Sequence, residues 1–115
     1  MSGGNAMAGS DSDVTPSVTT RRPAAARELR LLGLDRLARG ARVLEVGTGT
    51  GRLALGYAAA ARSVLAIDPD AASIEQAERE AGRRGLANIR FAAIAAQELD
   101  VGRERFDLAV LAWAL

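Results

Sequence analysis

The chain contains no cysteine, no histidine and no lysine, and only four of its residues are aromatic. Without cysteine there can be no disulfide framework and no thiolate nucleophile. The additional lack of histidine excludes a zinc site of the usual ligands and an imidazole acid or base. Alanine supplies much of the apolar content and buries little area per residue. A chain of 115 residues with this composition can form at most one domain with a modest core.

Arginine is the only basic residue type, yet fourteen acidic residues balance fifteen basic ones to a formal charge of +1. The arginines are scattered, and pairs such as Arg83 and Arg84 are typical of solvated helix faces. No strong positive field is therefore expected to hold nucleic acid. No apolar run approaches the roughly 20 residues of a membrane helix, and no signal peptide opens the chain. We expect a cytoplasmic protein with no membrane partner.

The first twenty residues differ in composition from the rest of the chain. Residues 1–20 are rich in Gly, Ser, Thr and Asp and have too little apolar surface to offset the entropy of ordering them. We therefore predict a disordered tail over 1–20 and one folded domain over 21–115. Its first helix is predicted from Arg21 to Arg39 with a break at Gly33, where Asp35 can cap the second segment.

The remaining pattern alternates short apolar strands with amphipathic helices. Alternation of this kind within about 50 residues implies right-handed crossovers and a parallel sheet. Gly40 and Gly85 are placed to end helices in a left-handed conformation. The predicted strands are Val43–Val46, Ser63–Ile67, Asn88–Ala93 and Phe106–Leu111, and the predicted helices between them are Arg52–Ala61 and Ala71–Arg84, with a polar turn over Gln97–Asp100.

Three glycines at alternate positions follow the first of these strands, in the stretch RVLEVGTGTGR. Gly47, Gly49 and Gly51 allow a tight turn, let a ligand approach without a side chain in the way, and open a helix whose N-terminus offers amide donors. A strand-to-helix turn that binds nothing has the same pattern. A dinucleotide fingerprint would place its third glycine where Arg52 stands, so a nicotinamide-binding half-domain is disfavoured.

Asp68 lies seventeen residues after Gly51, at the tip of the second predicted strand. A carboxylate in that position can accept hydrogen bonds from both hydroxyls of a ribose. Alternatively, Asp68 only begins the Asp68-Pro69-Asp70 turn or caps the helix that follows.

Together, VLEVGTGTGRLAL and VLAIDPD resemble the class I S-adenosyl-L-methionine-dependent methyltransferases over about residues 41–115. The resemblance implies a Rossmann-like, doubly wound parallel α/β sheet, here truncated to about four strands. Numbered along the chain, these strands would lie in the sheet in the order 3-2-1-4. It also implies S-adenosyl-L-methionine as the cofactor, and it leaves the catalytic residues unknown. No metal site is predicted. The residues expected to bind the cofactor are Glu45, Gly47, Thr48, Gly49, Gly51, Asp68, Pro69, Ala96, Gln97 and Ala112.

Each part of the resemblance carries an expected role. Gly47, Thr48 and Gly49 would pass beneath the methionine and ribose portions of the cofactor. Glu45 would lie near its amino-acid end, and Asp68 would hold the ribose hydroxyls.

The loop after the third strand departs from the family pattern. Aligning IRFAAIAAQEL on that pattern places Ala95 where an acid that accepts from the adenine amino group is expected. Ala96 and Gln97 remain as adenine neighbours, with Glu98 if the register slips, although Gln97 and Glu98 equally suit a polar surface turn. Trp113 either lines the substrate pocket or packs in the core.

Family members continue with three further strands and their helices, which supply most of the substrate pocket. One hypothesis is therefore that the sequence is the cofactor-binding half of a methyltransferase whose acceptor is an unidentified small molecule. The other is a non-catalytic module that forms a homo-oligomer through the exposed, unpaired edge of its fourth strand.

Overall fold

The computed structural model describes residues 17–19 and 33–112. The predicted helix up to residue 32, Trp113 and the rest of the predicted tail lie outside these residues. The strands are β1 (Ser17–Thr19), β2 (Arg42–Val46), β3 (Ser63–Ile67), β4 (Ile89–Ala92) and β5 (Leu108–Leu111), the helices are α1 (Leu34–Ala38), α2 (Arg52–Tyr57) and α3 (Ala71–Arg83), and single 3-10 turns span Ala58–Ala60 and Ala96–Glu98.

The five strands form one parallel sheet in the order β1-β5-β2-β3-β4. The four predicted strands therefore lie in the predicted order 3-2-1-4, and the Rossmann-like α/β class is confirmed. Because all the strands are parallel, the carboxyl ends of β2, β3 and β4 meet at one edge of the sheet. That edge carries the glycine turn and Asp68.

Strand β1 is a correction to the sequence analysis. It pairs with β5 from Ser17 opposite Leu108 to Thr19 opposite Val110. The prediction of disorder was therefore wrong for these three residues, and so was the expected unpaired edge along β5. An open edge offers unsatisfied backbone groups, and a Ser-Val-Thr segment with two β-branched residues is suited to pair with it. A twenty-residue average of composition hides so short a strand.

The core lies between the sheet and the helices packed on it. Val43, Val64 and Val110 are fully buried on neighbouring strands. In α3 the buried residues are Ile74, Ala77 and Ala81, at the three-and-four spacing of a helix face that packs on the sheet.

Gly51 lets α2 and α3 approach each other closely. Its φ of 84° is left-handed, and a Cβ added there would lie 3.3 Å from the Ala77 Cβ and from two Leu55 side-chain atoms. Both the conformation and the space at this position therefore favour glycine.

Two glycines lie where helix ends were predicted, whereas the predicted helix cap at Asp35 does not form. Gly40 and Gly85 have φ values of 69° and 70° and lie just beyond the ends of α1 and α3. Asp35 does not cap α1, because the helix begins one residue earlier, after Gly33 at a φ of 72°. Its carboxylate instead accepts from the Arg36 N–H at 2.9 Å.

Two polar side chains, Asp107 and Asn88, connect segments at the amino ends of the strands. The Asp107 carboxylate accepts from the Arg42 backbone N–H at 2.9 Å and from its guanidinium at 2.9 and 3.0 Å. These bonds lower the pKa of Asp107 to about 2. Asn88 donates its amide to the carbonyls of Ala58 and Ala61 at 2.6 and 2.9 Å. These bonds hold the 3-10 turn after α2 against the start of β4.

Among residues 17–19 and 33–112, no helix is both long enough and apolar enough to cross a bilayer.

Candidate functional site

A cavity of about 520 Å³ lies at the carboxyl ends of β2, β3 and β4. Crevices at this edge of an open parallel sheet are where α/β proteins bind ligands, and the volume suits a small molecule. The lining residues are Val46, Gly47, Ile67, Asp68, Pro69, Ile94, Ala95, Ala96 and Gln97.

The cavity brings together half of the residues that the sequence predicts for cofactor binding, namely Gly47, Asp68, Pro69, Ala96 and Gln97. The four apolar residues beside them were not predicted from the sequence to belong to the site, although Ala95 stands where the family pattern has an acid. Val46 and Ile67 are the last residues of β2 and β3, and this position at the carboxyl end of a parallel strand is a signal that could have identified them. Ile94 and Ala95 lie in an irregular segment. No sequence pattern marks Ile94, and Ala95 is marked by the alignment on the family pattern alone.

The glycine turn is held to the end of β3 through its backbone. The N–H groups of Gly47 and Thr48 both donate to the Ile67 carbonyl at 2.9 Å, and the Gly51 N–H donates to the Thr48 carbonyl at 2.9 Å. Gly47 and Gly49 have left-handed φ values of 76° and 60°. The amides of Gly47, Thr48 and Gly51 are thus used within the protein, so this part of the turn offers a ligand close approach rather than amide donors.

Asp68 joins the two strand ends at the mouth of the cavity. Its Oδ2 accepts from the Gly49 N–H at 2.9 Å and its Oδ1 from the Asp70 N–H at 2.9 Å. Each oxygen of an ionised carboxylate keeps a second lone pair for another donor. The alternative that Asp68 caps α3 is wrong, because Asp70 is the N-cap and accepts from the Ala72 N–H at 3.2 Å.

Asp68 is also the one ionisable side chain among the nine residues that line the cavity. The rest of the lining is apolar apart from the Gln97 amide and the backbone of the turn. A ligand of this cavity therefore needs a largely apolar body with hydroxyl or other donor groups directed at Asp68.

The sequence matches the family described as "Methyltransferase domain" over residues 43–115. The chain belongs to this family. A search of curated proteins finds no match. Solved structures of methyltransferases do match, as the resemblance to the class I S-adenosyl-L-methionine-dependent enzymes predicts.

Three solved structures illustrate the similarity. The YcgJ protein from Bacillus subtilis is 27% identical with a TM-score of 0.67, over 76% of this chain and 38% of that one. Coclaurine N-methyltransferase, bound to N-methylheliamine and SAH, is 28% identical with a TM-score of 0.61, over 73% and 26%. Phosphoethanolamine N-methyltransferase 1 from Haemonchus contortus, in complex with phosphoethanolamine and S-adenosylhomocysteine, is 27% identical with a TM-score of 0.56, over 62% and 15%. The matched segment therefore spans at most 38% of the length of each of these proteins.

In this methyltransferase domain Glu45 lies behind the glycine turn, not in the cavity. Its side chain is fully buried, and its Oε1 and Oε2 accept from the Tyr57 hydroxyl at 2.7 Å and the Thr48 hydroxyl at 2.8 Å. Burial raises the pKa of Glu45 to about 7, although both hydrogen bonds oppose the shift. Burial and the neighbouring carboxylate raise the pKa of Tyr57 well above its usual value, so the phenol keeps the proton that it donates.

Five residues predicted to bind the cofactor do not line the cavity, and their roles stay predictions: Glu45, Thr48, Gly49, Gly51 and Ala112. Successive strand residues point to opposite faces, and Glu45 shares the buried face of β2 with Val43, beneath α2. Thr48 is also buried, Gly51 packs between α2 and α3, and Ala112 packs against the core.

The loop after β4 places Glu98 outside the lining. Its Oε1 accepts from the Ala95 N–H at 2.9 Å, and its own N–H donates to the Ala95 carbonyl at 2.9 Å, so that Glu98 closes the 3-10 turn on itself. The slipped register that would bring this carboxylate to an adenine is thus not observed. Gln97, in contrast, lines the cavity.

Proposed function

We propose that the chain forms the cofactor-binding part of an S-adenosyl-L-methionine-dependent methyltransferase that acts on a small-molecule acceptor. The observation that carries the proposal is the position of Asp68. Asp68 is the one ionisable residue among those that line the cavity, and its carboxylate accepts from the Gly49 N–H. Gly47, which has no side chain, forms the neighbouring part of the wall.

The residues present fit a nucleoside with a sulfonium side chain. Asp68 would accept from the ribose hydroxyls through its remaining lone pairs, as its place at the tip of β3 suggests. Gly47 would allow close approach of the methionine portion, and Ala96 and Gln97 would adjoin the base. When bound, the cofactor supplies an activated methyl group, whose transfer depends mainly on alignment with the attacking atom. The contribution of this chain would accordingly be to hold and orient the cofactor.

The nature of the acceptor is proposed from the relatives. Two of the solved structures are N-methyltransferases whose bound acceptors or products are small molecules, and this supports a small molecule here as well. The self-associating, non-catalytic module loses one of the observations that favoured it, because β1 occupies the outer edge of β5 along Leu108–Val110. A cytoplasmic location and the absence of a nucleic-acid partner remain predictions.

Titration calorimetry with S-adenosylhomocysteine tests the proposal, because this ligand binds without turnover. We expect saturable binding by the wild-type chain. Asp68→Ala should weaken it by roughly tenfold to a hundredfold, the equivalent of about 1.5–3 kcal/mol for lost hydrogen bonds to a charged group.

Asp100→Ala is the matched control, since the Asp100 carboxylate accepts from Gly102 in a surface turn away from the cavity lining. Absence of wild-type binding, or equal affinities of the two variants, would contradict the proposal. NAD at the same concentrations should show no saturable binding.

A further inference from the structure

Thr48 lies between two glycines, whose backbones do not by themselves restrict the conformation of the turn. These are Gly47 and Gly49, which both adopt left-handed φ values. Glycine has more accessible backbone conformations than any other residue, so fixing this segment carries a large entropic cost. The shape of the turn must therefore be set by contacts with the rest of the domain.

A buried chain of hydrogen bonds provides one such contact. Thr48 donates its hydroxyl to Glu45, and Glu45 also accepts from the Tyr57 hydroxyl at the end of α2. Thr48, Glu45 and Tyr57 are 6%, 0% and 1% exposed, and none of them lines the cavity. The backbone of the turn joins these side chains to the cavity wall, so that they can influence a ligand without touching it.

Packing alone does not account for this polar chain. A phenylalanine ring would fill the space of the Tyr57 ring, and an uncharged residue at Glu45 would avoid the burial of a carboxylate. A buried network of this kind is favourable only when every member has its partner, and then it fixes one arrangement of the groups it joins. The arrangement fixed here is that of Thr48 relative to β2 and α2.

The same residue is also a backbone junction. The Thr48 N–H donates to the Ile67 carbonyl and the Thr48 carbonyl accepts from the Gly51 N–H. The next N–H, that of Gly49, donates to Asp68. Movement of Thr48 would therefore displace the wall of the cavity and the residue proposed to hold the ribose.

We infer that Tyr57 is a positioning residue for the cofactor, which acts through Glu45 and Thr48 to hold the glycine turn in the shape that forms the cavity wall. The inference rests on the proposed function, since it concerns the same cavity. It assigns a role in ligand binding to a buried side chain that does not line the cavity.

Tyr57→Phe tests it by removing one hydroxyl and leaving the ring. We expect the affinity for S-adenosylhomocysteine to fall by about threefold to thirtyfold, the range for residues that modulate a site without contacting its ligand. Val64→Ala is the control, because Val64 is fully buried three residues before the cavity end of β3 and takes no part in the network. This control should lower thermal stability and leave the affinity unchanged.

Amide hydrogen exchange without any ligand gives a second readout. The Thr48 and Gly49 amides should exchange faster in Tyr57→Phe than in wild type, relative to the amides within β2. Val64→Ala should leave that ratio unchanged. If Tyr57→Phe fails to fold, Thr48→Val and Thr48→Ser replace it, since serine keeps the hydroxyl and should retain wild-type affinity whereas valine should not.

The outcomes separate the two proposals. If wild type fails to bind S-adenosylhomocysteine, the proposed function fails, and with it the role of Tyr57 toward a cofactor, whatever the exchange shows. If wild type binds while Tyr57→Phe, or Thr48→Val in its place, matches it in affinity and in exchange, the positioning role is wrong and the proposed function stands.

Discussion

Burial of Glu45 should make the domain less stable as the pH rises toward neutrality. Its pKa is raised from 4.5 to about 7, and the cause is burial. Below pH 4.5 the folded and unfolded chains both hold the proton. Between the two pKa values the unfolded chain releases it while the folded chain keeps it, so the free energy of unfolding falls by about 1.4 kcal/mol per pH unit. Above about pH 7 the curve levels off, after a total loss of about 3 kcal/mol.

Among the described residues, Glu45 is the side chain whose pKa is raised into the range between 4.5 and about 7. The chain has no histidine and no cysteine, the side chains that most often titrate near neutrality. The pKa values of Asp70, Glu80 and Asp107 are lowered by their hydrogen bonds, so their effects on stability lie at more acidic pH. Among the described residues, Glu45 is therefore the side chain expected to produce a slope across this range.

Urea unfolding followed by circular dichroism between about pH 5 and about pH 8 measures the effect. Glu45→Gln should match wild type at the acidic end and exceed it by about 3 kcal/mol at the basic end, because the amide stays uncharged and can bond both hydroxyls. Glu78→Gln, on the exposed face of α3, is the control and should keep the wild-type slope. A flat wild-type curve, or a slope that persists in Glu45→Gln, would refute the reasoning.

Four further substitutions test packing and polar contacts by urea unfolding. Gly51→Ala should lower the free energy of unfolding by about 2–3 kcal/mol, because Gly51 has a left-handed φ and close neighbours. Gly85→Ala should lower it by about 1–2 kcal/mol, because Gly85 is also left-handed but has open space around it. Equal losses would argue against the steric contribution at Gly51. Asn88→Ala should cost about 1–3 kcal/mol because two carbonyls lose their donor, and an unchanged midpoint would contradict this. Asp107→Asn should cost less than about 1 kcal/mol at neutral pH, since its ion pair with Arg42 is exposed, and this contribution should vanish in wild type as the pH falls from 3.8 toward about 2.

Much of the fold follows from local patterns in the sequence. Apolar runs that alternate with amphipathic helices fix the α/β class and the parallel sheet, and the family resemblance adds the strand order. Asp68 could be placed at the ligand edge because a residue that ends a parallel strand has few other positions available. The apolar residues that end β2 and β3 belong to the site for the same reason.

Other features depend on contacts that no local pattern contains. The alternation along β2 directs Glu45 beneath α2, but the hydroxyl that its carboxylate meets there lies twelve residues later, on Tyr57. Glu98 is turned away from the cavity by a hydrogen bond to the backbone of Ala95. The three residues of β1 become a strand only because a partner strand from the far end of the domain offers its edge.

That last pairing also bears on how the sheet assembles. Strand β1 meets β5 across about ninety residues of chain, whereas each of the pairings β2–β3 and β3–β4 spans roughly twenty to twenty-five. Contacts of long sequence separation form late, because the entropy of closing the loop must be offset first. During synthesis β1 emerges before β5 and stays without this partner until β5 has followed it, so among the pairings described here the β1–β5 pairing is expected to form late.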